Sequence, residues 1–189
     1  RHPFWPDANP LSAHIPMILG NTRDETRGFV RKADDPLFTL AWEDLPARLA
    51  EGMRVDILPE HVVAIYRRLY PTLSPADIYF AATTAGRSWR GQVIEAELRA
   101  AAESPTWVYQ LDYRSPLDGG RWGAYHTGDI PLLFGTQDAP TSRSGTGPAA
   151  QAAGAVLQSC ILAFARSGDP AVPEGVQQLM SAPAATRAS

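Results

Sequence analysis

The sequence contains only one cysteine, Cys160, and no long run of apolar residues. A single cysteine excludes an internal disulfide, so the composition gives no reason to expect an oxidising compartment. No window approaches the roughly eighteen apolar residues that a membrane-spanning helix needs, and the N-terminus does not have the pattern of a signal peptide. We therefore expect no membrane span and a cytoplasmic location, with secretion left open because the sequence does not begin with methionine.

A large excess of charge is also missing, since the net charge is −3 at pH 7. This value gives no reason to expect nucleic acid or an anionic membrane as a partner. His2, His14 and His61 have no metal-ligand spacing with one another or with Cys160, and no glycine-rich phosphate loop opens a helix. The sequence therefore predicts no metal, no cofactor and no nucleic-acid partner. Its sixteen arginines against one lysine favour a bacterial origin and say nothing about function.

Two segments have the patterns of β-strands. Residues 15–20 (IPMILG) form a short apolar run closed by glycine, which is typical of a strand buried on both faces. Residues 106–115 (TWVYQLDYRS) alternate between apolar and polar side chains and predict a second strand. A third apolar run, residues 130–135 (IPLLFG), predicts a short strand or an extended segment.

Helical patterns occupy most of the remaining sequence. They predict short helices within 36–70, a helix capped by Ser74, one over 87–102 and a long one over 147–167 that Gly168 ends. Strands separated by tens of helical residues predict an α/β fold with a few mostly parallel central strands and flanking helices. Two or three strands are too few to form a sheet covered by helices on both faces. We therefore expect the chain to supply only part of such a sheet.

His126 lies in a setting that favours chemistry. It is in a glycine-rich loop between a predicted strand and an apolar run, where α/β folds place reactive groups. Its small neighbours Gly123, Ala124 and Gly128 would let a substrate approach closely. The same pattern also fits a surface histidine or one with a structural hydrogen bond, so the residues alone leave both roles open.

Glu25, which follows the first predicted strand, also has two possible roles. Thr22 and Glu25 have the S/T-x-x-E spacing of a helix capping box. A carboxylate just beyond a buried strand could equally hold an imidazole in the required tautomer and stabilise its charged form. Spacing does not decide between these roles.

Three segments resemble the type B carboxylesterase family and occur in the family's order. Residues 15–30 (IPMILGNTRDETRGFV) resemble its strand followed by Gly, Asn or Thr, a basic residue, Asp and Glu. Residues 111–136 (LDYRSPLDGGRWGAYHTGDIPLLFGT) resemble the stretch around its catalytic histidine, and 161–170 (ILAFARSGDP) resemble a later helix-and-turn signature. The resemblance implies that residues 1–172 are the C-terminal portion of an α/β-hydrolase domain, followed by a divergent, disordered tail at 173–189.

This resemblance implies a serine-dependent carboxylic-ester hydrolase that acts on a small-molecule ester through an acyl-enzyme. Glu25 then matches the triad acid and His126 the triad histidine, in the chain order serine, acid, histidine. Tyr125 is expected to bind substrate because it adjoins His126. Asp24 is the rival of Glu25 by adjacency, whereas Asp129 is expected to fix the loop.

The nucleophile that such a site requires is missing from the sequence. None of the eleven serines lies in a G-x-S-x-G motif, and SRSGTG at 142–147 has the wrong glycine spacing and no preceding strand. The family's oxyanion-hole glycines and its terminal Trp-Pro-x-Tyr pattern are also absent. We therefore expect a chain that needs the missing N-terminal portion of the same enzyme and is inactive alone. The alternatives are a non-catalytic α/β-hydrolase-like binding module and a non-functional truncated fragment.

Overall fold

The computed structural model describes residues 3–53 and 56–171, so the predicted tail at 173–189 lies outside the described residues. Within these ranges, the chain forms two strands and six α-helices, with four of the helices between the two strands. The elements are β1 (Met17–Thr22), α1 (Leu45–Gly52), α2 (Pro59–Leu69), α3 (Pro75–Thr84), α4 (Arg90–Ala101), β2 (Thr106–Leu111), α5 (Asp129–Phe134) and α6 (Pro148–Ser167). Short 3-10 helices cover Pro10–Ser12, Glu25–Phe29, Pro36–Thr39 and Leu117–Gly120, and a π-helical turn over Ala85–Trp89 joins α3 to α4.

The two predicted strands are confirmed and pair in parallel. Met17 lies opposite Thr106 and Thr22 lies opposite Leu111. Parallel strands need a long crossover connection, and helices α1 to α4 supply it. The prediction that β1 is buried on both faces was wrong. Residues 17–19 are half-buried, Gly20 is exposed, and only Asn21 and Thr22 are buried. Within the described residues, β1 has a neighbouring strand on one edge only.

Gly20 allows the two strands to pack closely. The Tyr109 ring of β2 lies over Gly20, and a methyl group at this position would overlap the ring. The Tyr109 hydroxyl donates a hydrogen bond to Asp129 Oδ2 at 3.0 Å. Burial and the nearby Asp129 charge raise the pKa of Tyr109, so the phenol remains a donor at neutral pH. This contact ties the first turn of α5 to the sheet.

The strand or extended segment predicted at 130–135 was wrong, because these residues belong to the one-and-a-half-turn helix α5. Leu132 is fully buried in a cluster with Ala150 and Leu157 of α6. Gly135 ends the helix in the left-handed conformation, with φ of 66°. The run is too short for apolar spacing to separate a helix from a strand.

The long helix predicted to end at Gly168 is confirmed as α6, which Gly168 closes with φ of 78°. Cys160 is fully buried on this helix, and burial raises the pKa of its thiol, so it serves as packing. Among the described helices, α6 is long and apolar enough to cross a membrane, with a mean hydropathy of 1.4. The search of the sequence for apolar windows did not identify this helix. The helix is weak evidence for a membrane span, because core helices of soluble proteins can have the same length and hydropathy. The absence of a membrane span stays a prediction.

A pair of glycine substitutions tests the packing of the sheet. We expect Gly20→Ala to destabilise the chain by about 1–3 kcal/mol, because the added methyl must displace the Tyr109 ring. Gly91→Ala in α4 is the control, since a methyl there meets nothing within 4 Å. It should stabilise the helix by about 0.5–1 kcal/mol. Urea unfolding measures both changes, and equal midpoints for the two variants would contradict the described packing.

Candidate active site

The site is formed where the turn after β1 meets the loop before α5. The Asp24 N–H donates to Ala124 O at 2.8 Å, and the Ala124 N–H donates back to Asp24 Oδ2 at 2.9 Å. The His126 N–H then donates to Glu25 O at 3.2 Å. The two bonds to main-chain oxygens accompany an isolated parallel bridge between Asp24 and Tyr125 beyond the end of β1, whereas the bond from Ala124 uses the Asp24 side chain. The carboxylate of Asp24 is therefore committed to the loop backbone.

Glu25 and His126 are directly hydrogen bonded through Glu25 Oε2 and His126 Nδ1. The second oxygen, Glu25 Oε1, accepts a hydrogen bond from the Thr22 N–H at 2.7 Å. Glu25 thus makes both of the contacts that the sequence left open, in one conformation. The capping box is only half formed, since Thr22 Oγ1 has no partner in the described structure.

The burial of the pair is asymmetric. The Glu25 side chain is 8% exposed, whereas the His126 side chain is 47% exposed. With the Nδ1 proton directed at the carboxylate, Nε2 is the nitrogen that can accept a proton from a reacting group. An imidazole held in this way by a buried carboxylate has the geometry that a general base requires.

Two close contacts hold the imidazole in place. The Phe29 ring lies 4.9 Å from the His126 ring, and the Arg87 guanidinium stacks over Phe29 at 4.5 Å. A methyl group on Gly28 would lie 2.7 Å from His126 Cβ, so only glycine permits this approach. No local sequence pattern predicts these contacts, because they join segments far apart in the chain.

The turn that carries Glu25 is anchored on α3. The Thr26 hydroxyl lies 3.0 Å from Phe80 O and 2.8 Å from Thr83 Oγ1. Arg27 is buried, pairs with Asp77 and donates to a main-chain oxygen at 2.7 Å. Burial raises the pKa of Asp77, but hydrogen bonds from Ser74 and the Arg27 charge outweigh this effect and lower it overall. Sequence reasoning missed Thr26 and Arg27, which have the pattern of an exposed helix start.

A cavity of about 360 Å³ lies beside the pair, between β1 and α4. It is bordered by Glu25, His126, Asn21 and Gln92. In the described structure, both amide atoms of the buried Asn21 side chain and Gln92 Oε1 have no hydrogen-bond partner. Each such group costs about 1–3 kcal/mol when it stays unpaired. These unpaired atoms are buried, although their residues border the cavity.

Ser88 borders the same cavity and lies in the π-helical turn before α4. Its hydroxyl makes no described hydrogen bond to His126. The described residues therefore contain no assembled pair of serine nucleophile and histidine base. They also contain no group of three or more His, Cys, Asp or Glu side chains that could hold a metal ion.

Tyr125 lies in a buried cluster with Val30, Phe80 and Trp122. Its hydroxyl accepts a hydrogen bond from the Arg143 N–H at 3.1 Å, and it borders neither the cavity at His126 nor the larger one of about 720 Å³ beside α3. The role of Tyr125 in substrate binding stays a prediction. Its described contacts are packing contacts and hydrogen bonds to neighbouring segments.

No family model matches the sequence. Several solved esterases resemble the structure. A carboxylesterase from Geobacillus stearothermophilus aligns with a TM-score of 0.65 and 26% identity over 84% of this chain and 32% of that chain. A PNB esterase aligns with a TM-score of 0.52 and 26% identity over 84% of this chain and 30% of that chain.

An esterase from Clostridium hathewayi that can hydrolyze aliphatic aromatic polyesters shares the fold at 18% identity, with a TM-score of 0.58. The alignment covers 86% of this chain and 31% of the Clostridium hathewayi esterase. The chain thus spans about 30–32% of the length of these esterases. The α/β-hydrolase fold predicted from the sequence is confirmed. The structure is similar to part of these carboxylesterases and PNB esterases, which belong to the type B carboxylesterase family, and the partial coverage is consistent with a C-terminal portion.

Proposed function

We propose that this chain supplies the triad acid and histidine of a serine-dependent carboxylic-ester hydrolase. The nucleophile and the oxyanion donors would come from an N-terminal portion of the same enzyme. The hydrogen bond between buried Glu25 and half-exposed His126 carries the proposal. The likeness to solved carboxylesterases supports the class of reaction.

In this mechanism, His126 Nε2 accepts the proton of the serine hydroxyl as its oxygen attacks the ester carbonyl. The same proton then passes to the leaving alcohol, which leaves an acyl-enzyme. Water attacks the acyl group in a second step, and His126 takes and returns a proton in the same way. Glu25 holds the ring and stabilises the imidazolium that exists between the transfers.

The surface of the chain supports the need for a further polypeptide. Large apolar side chains are exposed on four of the described α-helices, including Leu69 on α2, Ile94 on α4, Phe134 on α5 and Leu162 on α6. Phe134 is 70% exposed. Exposed apolar surface of this kind favours contact with more protein.

A non-catalytic binding module is the main competing function. A binding module would gain no catalysis from a carboxylate that is buried against an imidazole. Burying this carboxylate costs free energy that its pairing must offset. The retained pair therefore favours the hydrolase over the binding module and over a truncated fragment without function.

The two adjacent acids provide a matched test in the complete gene product. We expect Glu25→Gln to lower kcat for short-chain aryl esters on the order of 10³- to 10⁴-fold, because the imidazolium loses its charged partner. Asp24→Asn removes the same charge from a carboxylate that binds the Ala124 N–H, and should cost less than about tenfold. His126→Ala should abolish labelling by a serine-directed phosphonate.

Equal losses for the Asp24 and Glu25 variants would contradict the assignment of the acid. Phosphonate labelling that persists in His126→Ala would contradict the role of the histidine. Circular dichroism of each variant confirms that the fold is retained before rates are compared.

The chain by itself provides a second test. We expect the purified 189-residue chain to show no ester hydrolysis above background, because no nucleophile is paired with His126. Hydrolysis that disappears in His126→Ala would refute this expectation. Comparison with Ser88→Ala would then reveal whether the serine at the cavity acts as the nucleophile.

A further inference from the structure

Arg87 is an exposed cation that lies beside the proposed base. It belongs to the π-helical turn Ala85–Trp89, and such turns are found frequently at functional sites. Its guanidinium carbon lies 4.5 Å from the centre of the Phe29 ring, which in turn lies 4.9 Å from the centre of the His126 ring. The two distances together place the guanidinium within about 10 Å of the imidazole, a range over which salt leaves part of its field unscreened.

The contact with Phe29 leaves the hydrogen-bond donors of Arg87 available. The attraction to the ring face does not use up the five N–H donors of a guanidinium, which form a fork that suits carboxylates. Among the described residues, this contact is the interaction found for the Arg87 side chain, with no ion pair or hydrogen bond to a protein group. Arg87 thus offers a charged fork that no described residue occupies.

Arg87 borders both the cavity at His126 and the larger one beside α3. Glu25 and the half-buried Glu95 border the cavity at His126, so a further negative charge is disfavoured there. The larger cavity has a volume of about 720 Å³, which is sufficient for a small organic ligand. Phe29 borders this larger cavity too, so the cavity begins at the ring that lies against His126.

The charges around the larger cavity favour an anion. Arg31 and Lys32 border it together with Arg87, and neither has an ion pair within the described part of the chain. Of its two acids, Glu51 is paired with an arginine of α1 at 3.0 Å. Asp35 caps a short helix by accepting a main-chain hydrogen bond at 2.9 Å and keeps its charge. Three cations therefore border this cavity with one acid that has no described cation partner.

We propose that the substrate is an ester that carries a carboxylate, and that Arg87 binds this carboxylate on the side of the larger cavity while the ester carbonyl lies at His126. The inference rests on the proposed function, because it names the substrate class of the same site. A guanidinium donates two parallel hydrogen bonds to a carboxylate, so it fixes a direction as well as balancing a charge. Arg87 determines specificity and transfers no proton.

The test uses the complete gene product and two pairs of esters that differ by one charge. Monoethyl adipate and ethyl hexanoate differ by a carboxylate on the acyl side, whereas 4-carboxyphenyl butyrate and phenyl butyrate differ by one on the alcohol side. We expect Arg87→Gln to lower the ratio of kcat/KM, charged ester over neutral ester, by about tenfold in at least one pair, mainly through KM. Any effect that acts through the Phe29 ring changes both esters of a pair alike and cancels in this ratio.

Two further variants serve as controls. Arg90→Gln removes the same charge from an exposed residue of α4 that borders neither cavity, and it should leave the ratio at the wild-type value. Arg87→Lys keeps the charge without the planar fork, so its ratio should fall between those of wild type and Arg87→Gln.

Ratios that Arg87→Gln leaves unchanged in both pairs would overturn the inference, because they indicate that Arg87 only supports the Phe29 ring. An equal shift in Arg90→Gln would overturn it too, since it indicates a general effect of surface charge.

Labelling of the wild type by a serine-directed phosphonate separates this inference from the proposed function. A complete gene product that is not labelled and hydrolyses none of the four esters would overturn the hydrolase and the inference together. A labelled wild type that hydrolyses neither carboxylate-bearing ester, or whose ratios do not depend on Arg87, would overturn the inference alone.

Discussion

The hydrogen bond between Glu25 and His126 is the interaction on which the rest of the site depends. It joins residues 101 positions apart and places a carboxylate where water barely reaches it. A buried carboxylate is tolerated only when its oxygens are paired, and both oxygens of Glu25 are used. The surrounding main-chain bonds and the absent side chain at Gly28 keep the imidazole within reach.

The scaffold around this pair is anchored on two sides. The turn after β1 is held to α3 by the contacts of Thr26 and Arg27. The first turn of α5 is held to the sheet by the hydrogen bond between Tyr109 and Asp129. Each anchor combines burial with hydrogen bonds, so it holds a direction as well as a distance. In the proposed mechanism, a base held in this way would stabilise charge in the transition state without reorganising first.

The opposite side of the pair is unfinished. Asn21 and Gln92, which border the cavity at His126, have buried amide atoms without partners in the described structure, and the nearby helices expose apolar side chains such as Ile94. Polar groups without partners and apolar groups in water both favour association with more protein. The chain spans about 30–32% of the length of the solved esterases that it resembles.

The sequence by itself determined the two strands, the helix ended by Gly168 and the candidate pair, because periodicity, terminal glycines and motifs are local signals. It failed on α5 since six apolar residues fit a helix or a strand equally well, and burial of Leu132 against α6 decided the outcome. Burial of Arg27 and Asn21 was equally hidden, because it depends on elements distant in the chain. Only the tertiary structure decided which contacts Glu25 makes: its two oxygens satisfy two donors at once, a geometry that spacing along a chain cannot specify.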